Sequence, residues 1–166
     1  NVTGVSELTT LNAARGSTIN QQSKGEIRIG DFSGNAKVLY RGTATEDGTL
    51  TLPNDGRISV QKVVGTKNTL TLATDAVAGN DDAADRKAAE TLAKRFVYRG
   101  DSAADITDGA VKGLQLNARV ADGITKSQKT YQVLLDSTGK SSGLGAKTAE
   151  EIEYGDYETK LMSGVK

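Results

Sequence analysis

The sequence predicts an all-β fold of the solenoid kind with one inserted helix, and three observations carry that expectation. The first is alternation. Ile27 and Ile29, Leu50 and Leu52, Ile58 and Val60, Leu70 and Leu72, Leu114 and Leu116, and Val133 and Leu135 each set two aliphatics two residues apart. Of the six residues between them, Arg28, Thr51, Ser59, Thr71 and Gln115 are polar and Leu134 is not, which predicts strands with one dry and one wet face. The second is punctuation. Most of these stretches end in turn chemistry: Glu46-Asp47-Gly48, Asn54-Asp55-Gly56, Asp108-Gly109, Asp122-Gly123 and Ser137-Thr138-Gly139. The third is spacing. Leu50 follows Ile27 by 23 residues and Leu70 follows Leu50 by 20, about one turn of a parallel β-solenoid. Val38-Leu39-Tyr40-Arg41-Gly42 also recurs as Phe96-Val97-Tyr98-Arg99-Gly100, 58 residues on, or about three such turns.

One segment, Asp81 to Arg95, breaks the period and reads as helix. Ala84, Ala88, Leu92 and Phe96 follow at intervals of four, flanked by Ala89 and Ala93, and Asp82 is placed to cap the start. Asp82 with Arg86 and Glu90 with Lys94 are acid-before-base pairs at i,i+4. So thin an Ala-rich stripe suits close docking on a flat sheet.

Composition narrows the function classes. The 21 basic and 21 acidic residues cancel, and no Lys/Arg run supplies the positive field that a nucleic-acid partner requires. No apolar stretch approaches the roughly 20 residues of a membrane-spanning helix, so direct membrane insertion is not expected. The chain has no His, Cys or Trp, one Pro (Pro53) and one Met (Met162). Without His, no Ser-His-Asp or Cys-His mechanism can be assembled from this chain alone. Without His and Cys the common zinc and iron–sulfur ligand sets are missing too. Aromatics make up only 4%, so small aliphatics stacked in ladders are expected to form the core. Asn1 opens on ordinary domain sequence with no initiator Met, as expected for a piece of a longer polypeptide.

The order of the pieces carries a resemblance. Lys37-Val38-Leu39-Tyr40, Gly48-Thr49-Leu50-Thr51-Leu52 and Asn68-Thr69-Leu70-Thr71-Leu72 come first. An Ala-rich helix ending in Leu92-Ala93-Lys94-Arg95-Phe96-Val97-Tyr98 follows, then Val120-Ala121-Asp122-Gly123-Ile124-Thr125 and a tail from Tyr157 to Lys166. From about Gly25 onward this resembles the late passenger region of autotransporters, the type V secreted proteins of Gram-negative bacteria; residues 1–24 fit it only loosely. The resemblance implies a right-handed parallel β-helix over 1–158 and the start of a linker over 159–166. It implies display at the cell surface, anchored through an outer-membrane β-barrel that this sequence does not contain. Such passengers serve adhesion, aggregation or biofilm formation, or act as a stalk, with host-surface or self-association contacts as partners. The expected function is therefore non-enzymatic; the alternative is the supporting β-helix of a protease or polysaccharide-active passenger.

No catalytic, cofactor or metal residue is assigned, and no cofactor is expected. Asp75, Asp81, Asp82 and Asp85 contain oxygen enough for calcium but lack EF-hand or Gly-Gly-x-Gly-x-Asp spacing, and three sit where a helix dipole favours carboxylates. Glu150, Glu151, Glu153, Asp156 and Glu158 alternate with Ile152, Tyr154 and Tyr157, as on the wet face of a strand rather than in a paired-carboxylate site. Arg41 and Arg99, at matching repeat positions, would fall on one face if the repeats stack and could then hold an anion, but such side chains more often stack over an aromatic or pair with a neighbouring Asp. Gly139 to Gly145 is no phosphate loop, because Leu135 stands where the motif needs its first Gly. Asn1-Val2-Thr3 is a glycosylation sequon without meaning in a bacterium.

Overall fold

The computed structural model describes residues 6–21, 25–52, 55–76, 82–100, 105–120 and 129–148. It is mostly strand with one helix. In chain order the elements are β1 (Ser6–Asn20), β2 (Glu26–Tyr40), β3 (Thr43–Ala44), β4 (Leu50–Thr51), β5 (Arg57–Val63), β6 (Asn68–Thr74), α1 (Asp82–Ala93), β7 (Phe96–Tyr98), β8 (Ile106–Thr107), β9 (Ala110–Val111), β10 (Leu114–Val120), β11 (Lys129–Leu135) and β12 (Ser141–Thr148).

β2 organises the sheet because it is long and bends. Its first half, Glu26–Phe32, pairs in parallel with β5, and β5 pairs in parallel with β7. Its second half, Asn35–Tyr40, pairs in parallel with β6, and β6 with β10. β1 runs parallel to β2 across both halves. Parallel pairing sets equivalent residues directly over one another, so columns of apolar side chains form. Ile27, Ile58 and Phe96 make one, Ile29, Val60 and Tyr98 a second, Ala36, Leu70 and Leu116 a third, Val38, Leu72 and Ala118 a fourth. All twelve are buried, each contributing up to about 1.5–3 kcal/mol for the larger side chains. The bend in β2 requires Gly34: its φ is 97°, and a Cβ there would run into the Ala13 backbone of β1.

Beyond β10 the sheet changes character. β11 pairs antiparallel with β10 and β12 antiparallel with β11, so the sheet as a whole is mixed and barrel-like rather than uniformly parallel. α1 docks here, against β10, β11, β12 and β6, through Ala84, Ala88, Ala89, Leu92 and Ala93, all buried. The helix expected at 81–96 therefore forms over Asp82–Ala93, and Phe96 belongs to β7.

Several expectations are corrected. The near-constant spacing does not survive: Ile58 lies 31 residues beyond its partner Ile27, Phe96 38 beyond Ile58, and Leu116 46 beyond Leu70. Leu50, used to count turns, sits in the β3–β4 hairpin outside the ladders. The two Tyr-Arg-Gly segments fall in different ladders, Tyr40 opposite Thr74 and Tyr98 opposite Val60. Ser6–Asn20, which no alternating pair marks, forms a strand as long as β2 and is paired along much of it. Ser59 and Thr71, expected on a wet face, are buried, Ser59 where its hydroxyl donates to Glu26. Glu90 is paired back to Arg86 at 3.9 Å. The Asp82 side chain and the 158/159 boundary lie outside the described residues.

Candidate functional site

Two polar arrangements hold the parallel ladders in register. Glu26 opens β2 beside Arg57 of β5, and its carboxylate is the centre of the first. Arg99, just past β7, donates Nε to Oε2 and Nη2 to Oε1, both at 2.7 Å, a bidentate fork across the two strands. Ser59 Oγ donates to Oε2 at 2.7 Å and Arg28 Nε lies 3.4 Å from it. The Arg99 hydrogen bonds, with the Ser59 bond and both guanidinium charges, lower the Glu26 pKa to about 2 against the opposing effect of burial. The carboxylate is thus ionised and saturated near neutral pH, with no proton to transfer; it ties strands together.

Asn68, at the head of β6, is the second. Its Oδ1 accepts the Gly34 N–H at 2.7 Å, and its Nδ2 donates to the Val64 and Gly113 carbonyls, both at 3.0 Å. Its own N–H also donates to Gly113 at 3.0 Å. One side chain thereby satisfies backbone groups of three segments, at Gly34 within β2 and at Val64 and Gly113 ahead of β6 and β10, where polar groups outside the ladders would go unpaired.

A groove of about 720 Å3 lies beside the corner, with Asp31, Lys62, Thr66, Tyr98, Asp105 and Lys112 on its walls. Tyr98 OH donates to Asp105 Oδ2 at 2.7 Å. Inside the sheet, burial raises the Tyr40 pKa, so that hydroxyl stays protonated.

The residues singled out in the sequence do not converge. Arg41 Nη1 and the Gly42 N–H both donate to exposed Asp75, at 3.4 and 3.3 Å, so Asp75 is engaged away from the helix start. Asp85 is buried within α1, and Asp81 lies outside the described residues. Among the described residues no three acidic, His or Cys side chains are grouped to hold a metal ion. Arg41 and Arg99 do not share a face: one holds Asp75 and the other Glu26. Gly139 and Lys140 belong to the hairpin joining β11 to β12, where Asp136 Oδ1 accepts the Thr138 N–H at 2.8 Å and the Lys140 N–H at 3.3 Å. The acidic stretch 150–158 and Asn1-Val2-Thr3 lie outside the described residues.

Glu26, Ser59 and Asn68 carry no sequence motif. Their one signal is a polar residue within or bordering an alternating aliphatic stretch, which is shared by many residues that do nothing comparable. No helix among the described residues is long and apolar enough to cross a membrane. Compared with known proteins, the chain matches no family model, no curated protein and no solved structure.

Proposed function

We propose that this chain is a non-enzymatic, load-carrying segment of a surface-displayed passenger of the autotransporter type, built as a right-handed parallel β-helix closed at its C-terminal end by α1, β11 and β12. The observation that carries the reading is β1. It pairs with β2 on one side only among the described residues, and its 15 residues contain neither Pro nor Lys. Strand edges that are meant to stay free are usually blunted by such residues or covered. Although its register shifts between Ala13 and Ser17, a 15-residue edge on parallel ladders is suited to receive another level, as a stalk requires, and parallel crossovers of this kind are right-handed almost without exception. At the other end the antiparallel strands and the helix stop the stack. The saturated state of Glu26 favours a register-holding part over a catalytic one.

In this reading the segment stands at the cell surface, held by an outer-membrane β-barrel outside this sequence, and serves adhesion, aggregation or biofilm formation through host-surface or self-association contacts. Repetition of a weak surface over many displayed copies supplies avidity. The test is to display the full-length protein with and without residues 6–148 and to measure export, cell–cell aggregation and surface attachment. Loss of attachment with export intact makes this a binding surface, and loss of both makes it a folding stalk. Normal export and normal attachment without the segment, or turnover of a polysaccharide or ester by the purified chain, overturns the reading.

A further inference from the structure

The first ladder is incomplete on one side. β7 pairs with β5 only from Ile58 to Val60, whereas β5 continues to Val63 and keeps its pairing with β2 as far as Val63. Among the described residues no strand lies against the other edge of Gln61–Val63, and the groove opens there. A strand edge left in this way presents a row of backbone donors and acceptors that can take up an extended peptide.

The side chains around it define the peptide. Asp31 and Lys62 are register partners, so a residue added on the far side of Lys62 continues a column that already alternates in charge. Lys62 and Lys112 are exposed, both line the groove, and neither forms an ion pair among the described residues. Asp105 already accepts the Tyr98 hydroxyl. Val64, 46% exposed, is the one exposed large apolar side chain among the described residues, and it follows directly on this edge.

We propose that the groove binds an extended acidic peptide segment of a partner protein, added as a further parallel strand along Gln61–Val64. A carboxylate stacks over Lys62 towards Lys112, and an apolar side chain covers Val64. Parallel orientation follows from the ladder, in which every neighbour runs parallel.

The probe is a short fluorescent peptide of Glu-Thr-Val-Thr repeats, which sets Glu and Val two residues apart on one face, titrated into the 166-residue chain and followed by anisotropy. Saturable binding is expected. Lys62→Gln and Lys112→Gln should each weaken it severalfold, the scale of removing one interface charge, without moving the melting temperature, since both side chains are exposed and neither variant sets like charges opposite each other. An N-methylated peptide of the same charge, which cannot pair with a strand edge, should bind far more weakly. No saturation at millimolar peptide overturns the proposal. Equal binding by the N-methylated peptide, or by a peptide with Lys in place of Glu, or binding unchanged in both variants, does so as well.

Discussion

The parallel ladders and the C-terminal cap bury apolar surface by different means. In the ladders, Ile27, Ile58 and Phe96 lie in a column, as do Val38, Leu72 and Ala118, so one good packing solution is used at several levels. A slip by one residue would turn each strand's buried set outward, and a slip by two would leave the pattern intact but the level displaced. Apolar columns alone therefore fix register weakly, and Asn68 and Glu26 supply the missing specificity at the corner and across the edge. In the cap, α1 lies against β10, β11, β12 and β6, and Leu92 with its neighbouring alanines is buried there. Arg86 donates to the Leu144 and Gly145 carbonyls at 2.8 and 3.1 Å and sits 5.9 Å from the Tyr131 ring centre, and Asp85, Asn117 and Thr130 are buried polar residues of the same region. In the ladders the apolar columns repeat and polar groups tie them together, whereas in the cap a single apolar helix face is buried beside polar groups.

The strongest way to break this contrast is Leu92→Asp. Leu92 is fully buried, so a carboxylate in its place should cost about 4 kcal/mol or more in urea unfolding. The damage should be local. Hydrogen exchange should show β10, β11 and β12 losing protection while β1 and β2 keep most of theirs, because α1 touches the former and proteins open in local cooperative units. Equal loss in β1 would mean that cap and ladders fold as one unit.

Asn68→Ala comes next, at about 3 kcal/mol, from three lost side-chain bonds and the buried backbone groups they leave unpaired at Gly34, Val64 and Gly113. Its exchange pattern should differ from that of the Leu92 variant in that β2 and β6 open together with β10. Asn68→Asp keeps the acceptor for Gly34 but loses both donated bonds, and should recover little.

Glu26→Gln tests the charged half of the register. It should cost about 2 kcal/mol near neutral pH, the scale of hydrogen bonds to a charged group. The Glu26 pKa is depressed from 4.5 to about 2, so its contribution is present above about pH 4.5 and lost as pH falls towards 2. The parent chain should therefore lose stability over that window more steeply than Glu26→Gln, and the two should converge near pH 2. Parallel curves would show that the Arg99 fork contributes nothing.

Legibility in the sequence followed the same division. The helix was readable because its signal is local: Ala84, Ala88 and Leu92 recur at the helical period whatever they pack against. The alternating aliphatic pairs marked buried strand positions correctly, with Ile27, Ile29, Ile58, Val60, Leu70 and Leu72 all in the core. Connection length was not readable, since a stack tolerates an excursion such as α1 between levels for only a slow rise in loop-closure cost. That is why the spacing through Leu50 misled, and why Ile58 rather than Leu50 lies over Ile27. Ser59 and Asn68 look like surface residues in one dimension, because what buries them comes from segments more than thirty residues away.

The smallest effect is also the most direct comparison, since Arg41 and Arg99 share the context Tyr-Arg-Gly and differ only in where the fold puts them. Arg99 meets a carboxylate whose side chain is 12% exposed, through two bonds of 2.7 Å. Arg41 meets Asp75 through one contact of 3.4 Å between two exposed groups. Charge-assisted bidentate bonds in a partly buried setting persist against competition from water, while a single long contact in solvent gains little beyond the entropy it loses. Arg99→Ala should therefore cost about 1.5 kcal/mol and Arg41→Ala less than about 0.5. Raising the salt concentration should shrink the Arg41 effect towards zero and leave most of the Arg99 effect in place, because screening acts chiefly on solvent-exposed pairs. Equal costs for the two variants would mean that the shared tripeptide sets the value of the arginine, and the register-holding role assigned to Glu26 would then lose its support.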